Sequence, residues 1–243
     1  MASLENKLDG PGLAWPPLIR GTLIRRYQRF KADVRLRNGR VVTAHCPNSG
    51  SMKSCCEPGR TVYLSRSDNP GRKFPHTWEM IDMPSSLVGV NTLIPNRLVE
   101  RAVLDGGVEE LRGYDNVRRE VWCSPISRLD LLLESSYGRR CFVEVKNCTL
   151  VENGVAYFPD AVTSRGLKHL TELERQVALG NRGVIFFLIQ RMDANCFRPA
   201  DQIDPTYGQG LRSAVKDGVE ILAYDVALNL KRIALNRRLS REL

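Results

Sequence analysis

Asp130, Glu144 and Lys146 have types and spacing suited to phosphodiester chemistry, and they lie in one stretch, SRLDLLLESSYGRRCFVEVK, from Ser127 to Lys146. Glu144 and Lys146 are two apart, so on a strand they share a face while Val143 and Val145 take the other. Ser135-Ser136-Tyr137-Gly138-Arg139 supplies the turn, and a hairpin symmetric about Tyr137 sets Asp130 directly across from Glu144. Like charges at opposed strand positions destabilise a sheet, so the pair calls for a cation, either Lys146 or a bound metal. Carboxylate oxygens suit a hard ion such as Mg2+ or Mn2+. Asp, then Glu-x-Lys, is therefore a constellation for metal-assisted cleavage, with Asp130 and Glu144 as metal ligands and Lys146 as the third catalytic group. The same residues also suit a surface hairpin whose lysine pairs with two acids.

The rest of the chain sets the context. Its 243 residues suffice for one large or two small domains, and 42% hydrophobic with 26% charged residues is the balance of a soluble globular protein. Lys and Arg outnumber Asp and Glu by 36 to 27, a formal net charge of +9 that favours a polyanionic partner, nucleic acid first. The cysteines are scattered and never spaced C-x-x-C, which points to a reducing compartment with thiols used as small core residues. His45-Cys46 with Cys55-Cys56 fits zinc-ligand spacing poorly. The N-terminus has no apolar core of signal-peptide length and no apolar run reaches the roughly 18 residues of a membrane span, so a cytoplasmic protein without membrane attachment is expected.

Several short strands must form the first part. Phe30, Ala32, Val34 and Leu36 alternate with charged residues, Asn38-Gly39 supplies a two-residue turn, and Val41 to Cys46 returns. Thr61 to Ser65 and Thr77 to Met80 follow, which suggests a small OB-type barrel. Arg25, Arg26, Arg29, Arg66, Arg72 and Lys73 are interleaved there with Tyr27, Phe30 and Trp78, a nucleic-acid-binding composition, with Phe30 and Trp78 expected in the core. A helix is expected over residues 91–104, with Glu100 as a further acid on it. The clearest helix runs over residues 164–179, buried through Leu167, Leu170, Leu173 and Val177, capped by Asp160 or Thr163 and ended by Gly180. Arg165, Lys168 and His169 in its early turns oppose the helix dipole, which suggests a neighbouring anion such as phosphate. VIFFLIQ from Val184 to Gln190 reads as a strand buried on both faces, and a helix over 211–216 and a strand over 219–224 follow.

Gly21-Thr22-Leu23-Ile24-Arg25-Arg26-Tyr27, His45 to Met52, Val88 to Thr92, Ser127-Arg128-Leu129-Asp130, Val143 to Asn147 and Phe158 to Thr163, with Arg165-Gly166 and Lys168-His169-Leu170, closely resemble the sugar fermentation stimulation protein A (SfsA) family, in family order. The resemblance implies an N-terminal OB-like β-barrel followed by an α/β PD-(D/E)XK nuclease-like domain with a mixed sheet. It also implies DNA binding with little sequence preference and a regulatory link to sugar, particularly maltose, metabolism. Asp130, Glu144 and Lys146 fall on the nuclease motif positions. One departure is Ile126, where the family often carries a polar residue. The expected boundaries are a loose lead-in over 1–17, the OB-like domain over 18–84, the nuclease-like domain over 85–227 and a basic tail over 228–243. Two functions follow, a DNA-binding protein of low sequence specificity or a Mg2+ or Mn2+-dependent nuclease, with RNA as a third, weaker polyanion partner.

Overall fold

Alternation of small apolar and charged residues builds the first domain. The computed structural model describes Leu8, residues 12–125 and residues 127–243, so the departure at Ile126 lies outside the described residues. After a short strand β1 (Gly12–Ala14) come β2 (Leu18–Tyr27), β3 (Lys31–Leu36), β4 (Val41–His45), β5 (Thr61–Arg66), β6 (His76–Asp82) and β7 (Leu87–Gly89). Strands β2 to β7 hydrogen-bond in the order β4-β3-β2-β5-β6-β7, and an added β4–β6 pairing closes a five-stranded barrel. Ala32, Val34, Val42, Leu64 and Trp78 fill it. Phe30, expected inside, is exposed at 46%. Gln28 and Arg29 take positive φ values of 48° and 60°, which turns the chain before β3 begins and leaves Phe30 outside the alternation.

The second domain is a seven-stranded mixed sheet with helices on both faces. Its elements are α1 (Ile94–Leu104), β8 (Asn116–Ser124), β9 (Ser127–Glu134), β10 (Arg140–Cys148), β11 (Leu150–Glu152), β12 (Val155–Phe158), α2 (Ser164–Ala178), β13 (Arg182–Ile189), β14 (Cys196–Pro199), α3 (Pro205–Lys216), β15 (Glu220–Leu228), β16 (Arg232–Arg238) and β17 (Ser240–Arg241). The sheet order is β1-β16-β15-β13-β10-β9-β8, parallel at β10–β13 and β13–β15. Strand period assigns the faces: Val184, Phe186 and Leu188 pack with Leu98 and Val99 of α1, whereas Ile185, Phe187 and Ile189 pack with Leu170, Leu173 and Leu211 of α2 and α3. Strands β11, β12, β14 and β17 form a separate four-stranded sheet.

Both expected ends are corrected. The lead-in contributes β1, paired antiparallel with β16, and Trp15 docks in the core with its indole N–H donating to the Asn229 carbonyl at 3.0 Å. The expected basic tail holds β16 and β17, because Ile233 and Ala234 bury against the sheet while the arginines point outward. Basic residues masked a strand whose apolar content is short.

Candidate active site

The hairpin register follows the expected symmetry. Glu134 pairs with Arg140, Leu133 with Cys141, Leu132 with Phe142 and Leu131 with Val143. Asp130 lies one residue beyond the last of these pairs and uses its carboxylate instead: Oδ2 accepts the Val145 N–H at 2.8 Å and Oδ1 accepts from Asn96 Nδ2 at 2.6 Å. Helix α1, with Pro95 in its first turn, carries Asn96 to this point while Leu98 and Val99 anchor it on the sheet.

Glu144, only 2% exposed, is met by side chains of β10 and α2. Lys146 Nζ donates to its Oε1 at 2.7 Å, and His169 Nδ1 also meets Oε1. Lys146 Nζ lies 3.1 Å from the same His169 nitrogen. His169 is delivered by α2, whose N-terminus is fixed by Thr163 Oγ1 accepting the Gly166 N–H at 3.0 Å. Two basic side chains thus crowd one oxygen of Glu144, while Oε2 is buried with no hydrogen-bond partner among the described residues. An orphaned buried acceptor is costly, and it normally marks a group waiting for a ligand.

Electrostatics separate the two acids. Burial, and then the Glu144 charge, push the Asp130 carboxyl up to about 7. Burial acts upward on Glu144 too, but Lys146 and His169 outweigh it and hold that carboxyl below its usual range. Among the described residues no group of three or more His, Cys, Asp or Glu side chains is placed to hold a metal. A hard cation would meet two carboxylates here, one with a free oxygen, and complete its shell with water or phosphate oxygens; the donor set fits.

The expected basic residues divide. Arg165 and Lys168 are exposed on the first turns of α2, and Arg165 Nε lies 3.4 Å from His169 Nε2, so both stand beside the carboxylates. Arg25, Arg29, Arg66, Arg72 and Lys73 are exposed on the barrel. Arg25 pairs with Asp33 at 2.9 Å and sits 4.7 Å from the Tyr27 ring centre, and Lys73 sits 5.8 Å from that of Phe74. Arg26 belongs to neither group. Its guanidinium donates to the Asn48 and Gly50 carbonyls at 2.8 and 3.0 Å and to Arg29 O at 3.0 Å, so it shapes the loop after β4. That loop is bolted to the second domain: Asp160 accepts the Met52 N–H at 3.1 Å, and Arg191 Nη1 reaches Ser54 Oγ at 3.2 Å and Thr149 O at 2.9 Å. Asp160 is therefore a domain clamp rather than the helix cap.

Glu100 pairs with Arg119 at 3.6 Å. Asn96 is the site's addition to the sequence reading, and His169, expected beside an anion, meets the Glu144 carboxylate. The i, i+4 spacing of Arg165 and His169 was a legible signal for a shared face; Asn96 had none, since only packing brings α1 to Asp130.

Known proteins match over the same two units. Residues 24–90 match the family model described as SfsA N-terminal OB domain, and residues 93–232 match that of the sugar fermentation stimulation protein RE domain. The sugar fermentation stimulation protein homolog of Pelobacter propionicus is 58% identical over 92% of this chain and 97% of its own length. That of Geobacter sulfurreducens is 58% identical over 92% and 95%. The solved structure of Pyrococcus furiosus SfsA in complex with Ca2+ matches with a TM-score of 0.88 at 28% identity, over 96% of this chain and all of that one.

Proposed function

The chain belongs to the sugar fermentation stimulation protein family, and from that premise we propose that it binds DNA with little sequence preference and cleaves it with a divalent ion held by Asp130 and Glu144. The observation that carries this reading is the buried, unpartnered Oε2 of Glu144 beside a second carboxylate. That the related Pyrococcus furiosus protein was solved in complex with Ca2+ supports a divalent ion here. When bound, Mg2+ or Mn2+ supplies positive charge against the charge developing on a reacting phosphate.

The chain's own residues do the rest. Val145 N–H and Asn96 fix the Asp130 carboxylate. Lys146, held at Glu144, directs its ammonium toward the same space and orients water or stabilises negative charge. His169 keeps Glu144 Oε1 occupied and so leaves Oε2 as the open donor. Arg165 and Lys168 grip the backbone near the site, and Arg25, Arg29, Arg66, Arg72 and Lys73 grip it along the barrel. Phosphate contacts of this kind position a duplex or strand without reading its sequence.

A second reading, DNA binding without cleavage in a regulator of sugar metabolism, has one observation in its favour: the Lys146 ammonium is already engaged by Glu144. Supercoiled plasmid incubated with the protein and Mg2+ or Mn2+ separates the two. Nicking that slows by about 100-fold or more in Asp130→Ala supports cleavage. Intact plasmid and intact single-stranded DNA together with salt-sensitive binding select the regulator.

A further inference from the structure

Of the three tryptophans, Trp15 and Trp78 are buried at 9% and 0%, whereas Trp122 is 65% exposed. Trp122 sits on the β8–β9 hairpin directly across the ladder from Arg128, whose guanidinium lies 5.6 Å from its ring centre and also pairs with Glu120 at 2.7 Å. These two residues face Arg165, Lys168 and His169 of α2 across a cavity of about 460 Å3, and no acidic residue lines it. His169 at this cavity is the same side chain that touches Glu144, so the cavity adjoins the carboxylate site.

A large exposed indole forfeits the burial that tryptophan ordinarily gains. Sharing its cavity with Arg128, Arg165 and Lys168, it is matched to a ligand that has both a π face and negative charge. A nucleotide has both. Within a duplex each base is already stacked and paired, so only an unpaired base offers a face to a protein side chain. The cavity volume lies within the roughly 300–1,000 Å3 of small-ligand sites, which accommodates a nucleotide but no duplex.

We propose that Trp122 is a stacking platform for one unpaired DNA base, held beside the carboxylate site by phosphate contacts to Arg128, Arg165 and Lys168. The proposal rests on the DNA-binding reading and names its substrate class: single-stranded or frayed DNA rather than fully paired duplex.

The full chain is titrated with a short oligo-dT, its abasic counterpart, an oligo-U and a duplex of equal length, following anisotropy of the labelled strand and intrinsic tryptophan fluorescence. Trp122 is the exposed fluorophore, so stacking of thymine quenches it while the abasic strand does not. Trp122→Ala is expected to weaken oligo-dT binding roughly 5- to 100-fold and Trp122→Phe to retain most of it. Duplex affinity should change less than about twofold in both, since phosphate contacts remain. Oligo-dT binding equal in wild type, Trp122→Ala and Trp122→Phe, or an equal loss on duplex, overturns the platform and leaves the DNA-binding reading standing. Wild-type protein that binds none of the strands overturns both. Tighter, Trp122-dependent binding of oligo-U overturns the assignment to DNA.

Discussion

Glu79 of the first domain and Glu144 of the second, both buried, are held in opposite ways. Glu79 in the barrel, 5% exposed, has both oxygens satisfied by neutral donors: Ser65 Oγ at 2.6 Å on one and Asn91 Nδ2 at 2.7 Å on the other. Glu144, 2% exposed, has Lys146 and His169 on one oxygen and nothing on the second. A buried acid with both oxygens bonded is finished by the fold. One with a lysine and a histidine on a single oxygen is held charged and keeps its second oxygen to offer, which is what a ligand site requires.

The comparison breaks first on substitution of these acids. Glu144→Gln should slow plasmid cleavage by about 100-fold or more with folding intact, since the open oxygen loses its charge. Glu79→Ala should leave cleavage per folded molecule unchanged but lower unfolding stability by about 1–3 kcal/mol in denaturant melts, because Ser65 and Asn91 lose their acceptors. Equal effects on cleavage from both changes would erase the distinction.

Asp130 sharpens it through pH. Its folded pKa, about 7, is above its unfolded value, so its contribution to stability is fully present below about pH 4 and is lost as pH rises through about 7. A cation that binds the ionised form displaces the proton, so Mg2+ or Mn2+ affinity, read by calorimetry or by thermal shift, should fall about tenfold for each pH unit below 7. Asp130→Asn should flatten that dependence and, without divalent ions at pH 8, stabilise the protein by about 1 kcal/mol, as removal of one of two opposed carboxylates does. A metal affinity that stays level between pH 5 and 7 would detach Asp130 from the ion.

The smallest effect concerns arginines and lysines. Lys168→Gln should reduce the slope of log affinity against log salt by about one, the loss of a single phosphate contact. Arg26→Gln should instead loosen the loop around Asn48 and Gly50 and lower thermal stability, because its guanidinium is bonded to carbonyls. A salt slope lowered equally by both would return Arg26 to the nucleic-acid face.

Local pattern made much of this legible. The hairpin symmetry, the barrel's alternation and the amphipathic α2 rest on spacings of two and of three to four residues, which neighbours in sequence express directly. Phe30 was expected in the core and is exposed because composition reports a residue's type but not its direction, and a turn with positive φ at Gln28 and Arg29 redirects the chain just before it. Strand β1 was missed because it is three residues long and pairs only with β16 at the other end of the chain, and β16 because its arginines flank a short apolar run.

By itself, then, the sequence determined the net positive charge, the barrel class of the first domain, and the strand spacing that puts Glu144 and Lys146 on one face with Asp130 near by, while the resemblance implied the mixed sheet. Tertiary structure alone decided that Asn96 and His169 join them, that Arg191 and Asp160 clamp the barrel beside them, and that one Glu144 oxygen stays open. Each of those depends on helices and loops distant in sequence closing over the same end of the sheet, where burial raises the Asp130 carboxyl while Lys146 and His169 hold that of Glu144 low.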